Sequence, residues 1–181
     1  MDITLALKDE LIKKGAYIYM IREDDSDLSE EDDVLKKRGD LKRRVKQIDE
    51  SDALLYLSIH VNAFKKDSSQ RGAEVLYTSN NPNNKLLASV LMSHFKKDLV
   101  TTRHISKTDL YLYTNTKKPG VLIECGYLTN NNERQLLIDS SYQKKIAEVI
   151  ANAIVDYFSV VSKLSSKENN VLKFDNNYIY Y

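Results

Sequence analysis

Cysteine is almost absent from this chain: Cys125 is the single thiol in 181 residues. One thiol closes no intramolecular disulfide and builds no Cys-rich zinc module, so both kinds of staple are excluded. A dominant charge is missing too. The 27 Lys and Arg stand against 26 Asp and Glu, a formal net charge of +1, so no whole-chain field points to nucleic acid or to an anionic membrane. Long hydrophobic runs are also lacking; no stretch approaches the ~18 apolar residues of a membrane span. The opening MDITLALKDELIKKG has no basic segment ahead of an apolar core and no small-residue cleavage site, so no export signal is read in it. There is no internal repeat. What is present is 42% hydrophobic residues in a length that suits one well-buried core.

The apolar residues Ile3, Leu5, Leu7, Leu11 and Ile12 share one helical face, and Gly15 supplies a stop. This predicted helix begins abruptly, with Asp2 as a weak cap. Ala16 to Ile21 reads as a strand, and the segment from Arg22 to Asp33 as an acidic loop. Val34, Leu41, Val45 and Ile48 line one face of a helix reaching about Ser51, whose Lys and Arg are expected to face water. Ala53 to Ile59 is almost continuously apolar, as a strand covered on both faces of a parallel sheet should be. Ala73 to Thr78 is the next predicted strand; Leu86, Leu87, Val90, Leu91 and Phe95 mark a helix; Leu110 to Tyr113 reads as a short strand. Gly120 to Ile123 is a strand after Pro119, and Ile146 to Tyr157 a long amphipathic helix. Alternating helices and strands predict an α/β domain with a mostly parallel sheet sandwiched between helices, spanning residues 1–160. Residues 161–181, Asn-rich and aperiodic, are expected to form a flexible tail.

Two apolar strands deliver titratable residues at their carboxyl ends: His60 follows ALLYLSI and Glu124 follows GVLI. In open parallel sheets the functional crevice lies outside those ends, where loops converge above a dry core. The competing readings are a structural histidine at 60 and a helix-capping carboxylate at 124. His94 falls beside Leu91 and Phe95 and reads as a packed histidine, and His104 as a surface one. Cys125, next to Glu124, invites a thiol nucleophile paired with His60, against the reading of a buried, inert cysteine. Asp24, Asp25, Asp27, Glu30, Glu31, Asp32 and Asp33 lack the glycine and terminal glutamate of a calcium loop and read as solvated.

Ser58-Ile59-His60-Val61-Asn62-Ala63 resembles the SIHxNA motif of the type-three, zinc-dependent N-acetylmuramoyl-L-alanine amidases, whose histidine ligates catalytic zinc. The run Pro119-Gly120-Val121-Leu122-Ile123-Glu124-Cys125-Gly126-Tyr127-Leu128-Thr129-Asn130 is similar to their second signature, in which the glutamate is catalytic. Gly72, Glu74 and Tyr77 match the strand after the histidine loop, and Leu112 to Lys118 the approach to the glutamate. The resemblance covers about Asp2 to Phe158, and Asp40 to Asp49 resembles most the spore-associated, germination-specific branch.

The resemblance implies zinc as cofactor, peptidoglycan as substrate, an extracytoplasmic location in cell wall or spore envelope, and a possible protein activator. His60 is then a metal ligand and Glu124 the catalytic acid–base, cleaving the bond between N-acetylmuramic acid and L-alanine. The family also places a histidine after a first strand and a glutamate at the next helix start, both ligands. Neither matches a residue of this sequence, so the fold is expected to lack its first strand. That expectation carries three others: weak zinc binding, no hydrolysis by the isolated chain, and unpaired neighbouring strands that favour aggregation. An inactive wall- or partner-binding remnant is the alternative function.

Overall fold

The computed structural model describes residues 1–24, 36–167 and 178–180. Along the chain run α1 (Asp2–Lys13), β1 (Tyr17–Tyr19), α2 (Lys36–Glu50), β2 (Leu55–Asn62), β3 (Glu74–Tyr77), α3 (Pro82–Asp98) and β4 (Ser106–Lys107). There follow α4 (Tyr111–Asn115), β5 (Gly120–Tyr127), α5 (Asn131–Leu137), α6 (Ser140–Lys167) and β6 (Tyr178–Tyr180). The strands form one sheet in the order β1-β6-β2-β5-β3-β4. Among the described residues only the β3–β5 pair is antiparallel, so the predicted mostly parallel α/β sheet holds.

Alternation along the strands divides the core in two. Leu55 and Leu57 of β2, Val121, Ile123 and Cys125 of β5, and Val75 and Tyr77 of β3 face the larger layer, packed with residues of α1, α3 and α6. Ile146, Ile150 and Ile154, one stripe of α6, are fully buried there. Each such side chain contributes ~1.5–3 kcal/mol, whereas an exposed pair such as Lys13–Glu10 contributes ~0–1 kcal/mol. The apolar core shared by α1, α3, α6 and the sheet, not surface charge, therefore holds the fold. On the opposite face Tyr56 and Leu122 pack with Ile48 of α2 and with Leu112 and Tyr113 of α4 in a smaller cluster.

Several sequence expectations change. Leu110 to Tyr113, expected as a strand, leads into the helix α4; three alternating residues are too few to fix a period, and burial of Leu112 and Tyr113 against Tyr56 decides it. The strand expected to end at Ile59 continues through His60 to Asn62, because pairing with β5 persists. β6 sits between β1 and β2 and is parallel to both, so the neighbours of the supposed gap are paired: Tyr17 to Tyr178 and Tyr56 to Tyr180 are among the partners. The segment 161–181 is thus not all tail: α6 runs to Lys167 and 178–180 is a strand. The acidic residues from Asp25 to Asp33 lie outside the described residues.

Candidate functional site

β2 and β5 are in register at His60 and Glu124, and β5 and β3 at Glu124 and Glu74. Directly opposed residues project to the same face. The three side chains therefore form one row across three strands, on the face of Tyr56 and Leu122 and at the carboxyl ends of β2 and β5. The row depends on Gly120, which opposes Tyr56. An added Cβ there would lie 2.1 Å from the Tyr56 ring, so only glycine lets that ring lie across β5 and set the register leading to Glu124. The Tyr56 hydroxyl meets Thr116 Oγ1 at 2.8 Å, fixing the ring from its far end.

Glu124 is partly buried, and its Oε2 is a buried acceptor with no partner among the described residues. Burial first, and the Glu74 carboxylate second, push its pKa up to about 7. Glu74 is held in place: its Oε1 accepts from the Tyr127 hydroxyl at 2.6 Å and from Asn62 Nδ2 at 3.3 Å. His60 has its pKa lowered, by burial first and then by Arg22 and Arg44, which favours the neutral imidazole that binds metals. Ser58 Oγ lies 2.9 Å from His60 Nε2. Arg44 is not the water-facing cation expected of α2; its Nε and Nη2 grip Asp40 at 2.9 Å on a largely buried pair.

The end of β5 is tied down by a residue the sequence reading did not single out. Glu133, on α5, accepts from the Gly72 amide through Oε1 and from the Tyr127 amide through Oε2, both at 2.8 Å. One carboxylate thereby joins the entrance to β3 to the exit of β5. Its position three residues after the N-cap Asn130, whose side chain accepts from the amides of Asn132 and Glu133, signals a capping carboxylate but not this clamp.

Cys125 faces the larger core, opposite His60, and burial pushes its thiol up to about 12. It has neither the ionisation nor the direction of a nucleophile. His94 lies 2.9 Å from Asp156, between α3 and α6 and on the far side of the sheet from Glu124. His104 is exposed, as expected, with Nδ1 3.3 Å from Lys96 Nζ.

For zinc, the donor chemistry is half provided. A neutral imidazole and a neighbouring unsatisfied carboxylate oxygen suit a metal and its water. Among the described residues, however, no three His, Cys, Asp or Glu side chains converge as a metal site, and catalytic zinc ordinarily takes three protein ligands. The described residues thus do not complete a zinc site.

The family model for N-acetylmuramoyl-L-alanine amidase matches residues 1–156. The chain is 35% identical to the germination-specific N-acetylmuramoyl-L-alanine amidase of Bacillus subtilis, over 88% of this chain and 69% of that protein. It is similar to the CwlD amidase of Clostridioides difficile, solved in complex with the GerS lipoprotein: TM-score 0.82, 36% identity, 88% of this chain and 84% of that one. The catalytic domain of CwlV, an N-acetylmuramoyl-L-alanine amidase from Bacillus (Paenibacillus) polymyxa var. colistinus, superimposes with TM-score 0.71 at 31% identity, over 87% of this chain and 83% of that chain. With a family match over most of its length and His60, Glu124 and Glu74 in one row across three strands, the chain belongs to the N-acetylmuramoyl-L-alanine amidase family.

Proposed function

We propose that this chain is the catalytic domain of a peptidoglycan amidase, with Glu124 as general base and acid and His60 as one ligand of a zinc ion. The observation that carries the reading is the in-register pair of His60 and Glu124 with the partnerless Glu124 Oε2. A carboxyl group whose pKa stands near 7 suits both proton transfers at neutral pH. Glu124 takes a proton from water as the water oxygen bonds to the lactyl carbonyl. When the C–N bond breaks, the same carboxyl group returns that proton to the departing L-alanine amine. Burial first, and second the carboxylate of Glu74, fixed by Tyr127 and Asn62, keep Glu124 from resting as a fully ionised carboxylate. Catalytic zinc ordinarily takes three protein ligands, and His60 supplies one of them in this reading.

The germination-specific relative and the spore-associated pattern of Asp40 to Asp49 support a role in spore cortex, outside the cytoplasm. The CwlD structure, solved with a lipoprotein, supports an accessory protein partner here also. The incomplete donor set favours a second reading, a domain that binds wall without cutting it.

The test is release of new amino termini from purified peptidoglycan with zinc supplied, for the wild-type chain and for Glu124→Gln. Loss of ~10²–10⁴-fold in rate with unchanged zinc content supports the proposal. Equal hydrolysis by both sinks the role of Glu124, and wall binding without hydrolysis by the wild type selects the second reading.

A further inference from the structure

Beside the acid row lies a groove of about 470 Å³, within the range of small-ligand sites, with walls that include Gln70, Arg71, Glu74, Arg103, His104 and Ser106. All its lining residues are polar or charged. Resting on the amidase reading, we propose that Arg71 and Arg103 form a carboxylate-binding subsite that receives the acidic residue of the stem peptide next to L-alanine.

Arg103 is built into place. Thr101, itself buried, donates to the Ala73 carbonyl at 2.9 Å and accepts from the Arg103 amide at 3.1 Å, pinning this segment to the start of β3. The close approach needs Gly72: its φ is +95°, and a Cβ there would lie 2.5 Å from Thr101 Oγ1. The guanidinium donates from Nε to the Arg71 carbonyl at 2.8 Å and from Nη2 to Gln70 Oε1 at 2.7 Å. It also lies 4.8 Å from the centroid of the Tyr127 ring. Of five guanidinium N–H groups, three keep their capacity to donate. Among the described residues neither Arg71 nor Arg103 forms an ion pair with a carboxylate.

The groove carries both signs. Glu74, engaged by Tyr127 and Asn62 and opposing Glu124, shares its lining with Arg71 and Arg103, and Lys96 adds charge beside His104. A substrate with its scissile amide at Glu124 and its peptide running along the groove brings the next residue's carboxylate towards Arg103. A planar guanidinium with free parallel donors is the partner such a group takes.

Binding of N-acetylmuramoyl-L-alanyl-D-glutamate and of its neutral diamide is measured by titration calorimetry on the full chain, with a chelator present so that hydrolysis does not intervene. The wild type should bind the diacid about tenfold more tightly than the diamide. Arg103→Gln and Arg71→Gln should each bring the diacid towards the diamide value and leave the diamide unchanged. Arg71 is exposed, so its variant stays informative if Arg103→Gln folds poorly. Equal binding of the two ligands by the wild type, or equal weakening of both by the variants, overturns the subsite while the amidase reading stands. No binding of either ligand by the wild type removes that reading, and the subsite with it.

Discussion

At Glu124 burial and a like charge act in the same direction. Its ordinary pKa of 4.5 rises to about 7 in the folded protein, so between those values the folded chain holds a proton that the unfolded chain has released. Stability from this group is complete below about pH 4.5 and is lost as pH rises through about 7. In metal-free protein the urea midpoint should therefore fall across this window more steeply for wild type than for Glu124→Gln, which cannot titrate. Glu74→Gln should narrow the window from above by removing the second influence. Parallel pH profiles for wild type and Glu124→Gln would show that the carboxyl group is not raised. His60 and Glu124 were legible in the sequence because each ends an apolar run. Glu133 and Arg103 were not, because what they do depends on partners 61 residues away at Gly72 and 32 away at Arg71.

Strand pairing sets the next scale. Gly120 faces a Tyr56 ring that is 2% exposed and held by Thr116, so neither partner has room to yield. Gly120→Ala should cost ~1–3 kcal/mol or more through overpacking, read by urea denaturation. Combining it with Tyr56→Leu should cost less than the sum of the two single changes; strict additivity would mean the clash is relieved elsewhere. Among the described residues, β1 joins the sheet only through β6. Removing residues 168–181 should abolish hydrogen-exchange protection at Tyr17–Tyr19 and leave α6 protected; retained protection would show that β1 has another anchor. Most elements could be read from periodicity, since their apolar residues repeat at 3.6 or 2. α4, α5 and the two-residue β4 could not, being too short to express a period. β6 lay in an aperiodic Asn-rich stretch, where only the vacant edges of β1 and β2 give a strand its reason to form.

Across the whole molecule the two faces of the sheet divide the labour. The α1, α3 and α6 face is closed by a large apolar core, while the α2 and α4 face carries a smaller one, on the side of the sheet that bears the acid row. Metal binding is the property that joins these parts, because His60 is on β2 and no further pair of donors converges with it among the described residues. A single imidazole does not offset the dehydration of zinc as three ligands do. The chain should therefore bind zinc weakly, retaining well under one ion per molecule after desalting, and equilibrium dialysis should show that His60→Ala removes most of that residual binding. Glu124→Gln should leave it unchanged, since in the proposed mechanism its carboxylate serves the proton and not the metal. Stoichiometric zinc that survives desalting and depends on His60 would place further ligands outside the described residues. Stoichiometric zinc that survives His60→Ala would remove His60 from the site altogether.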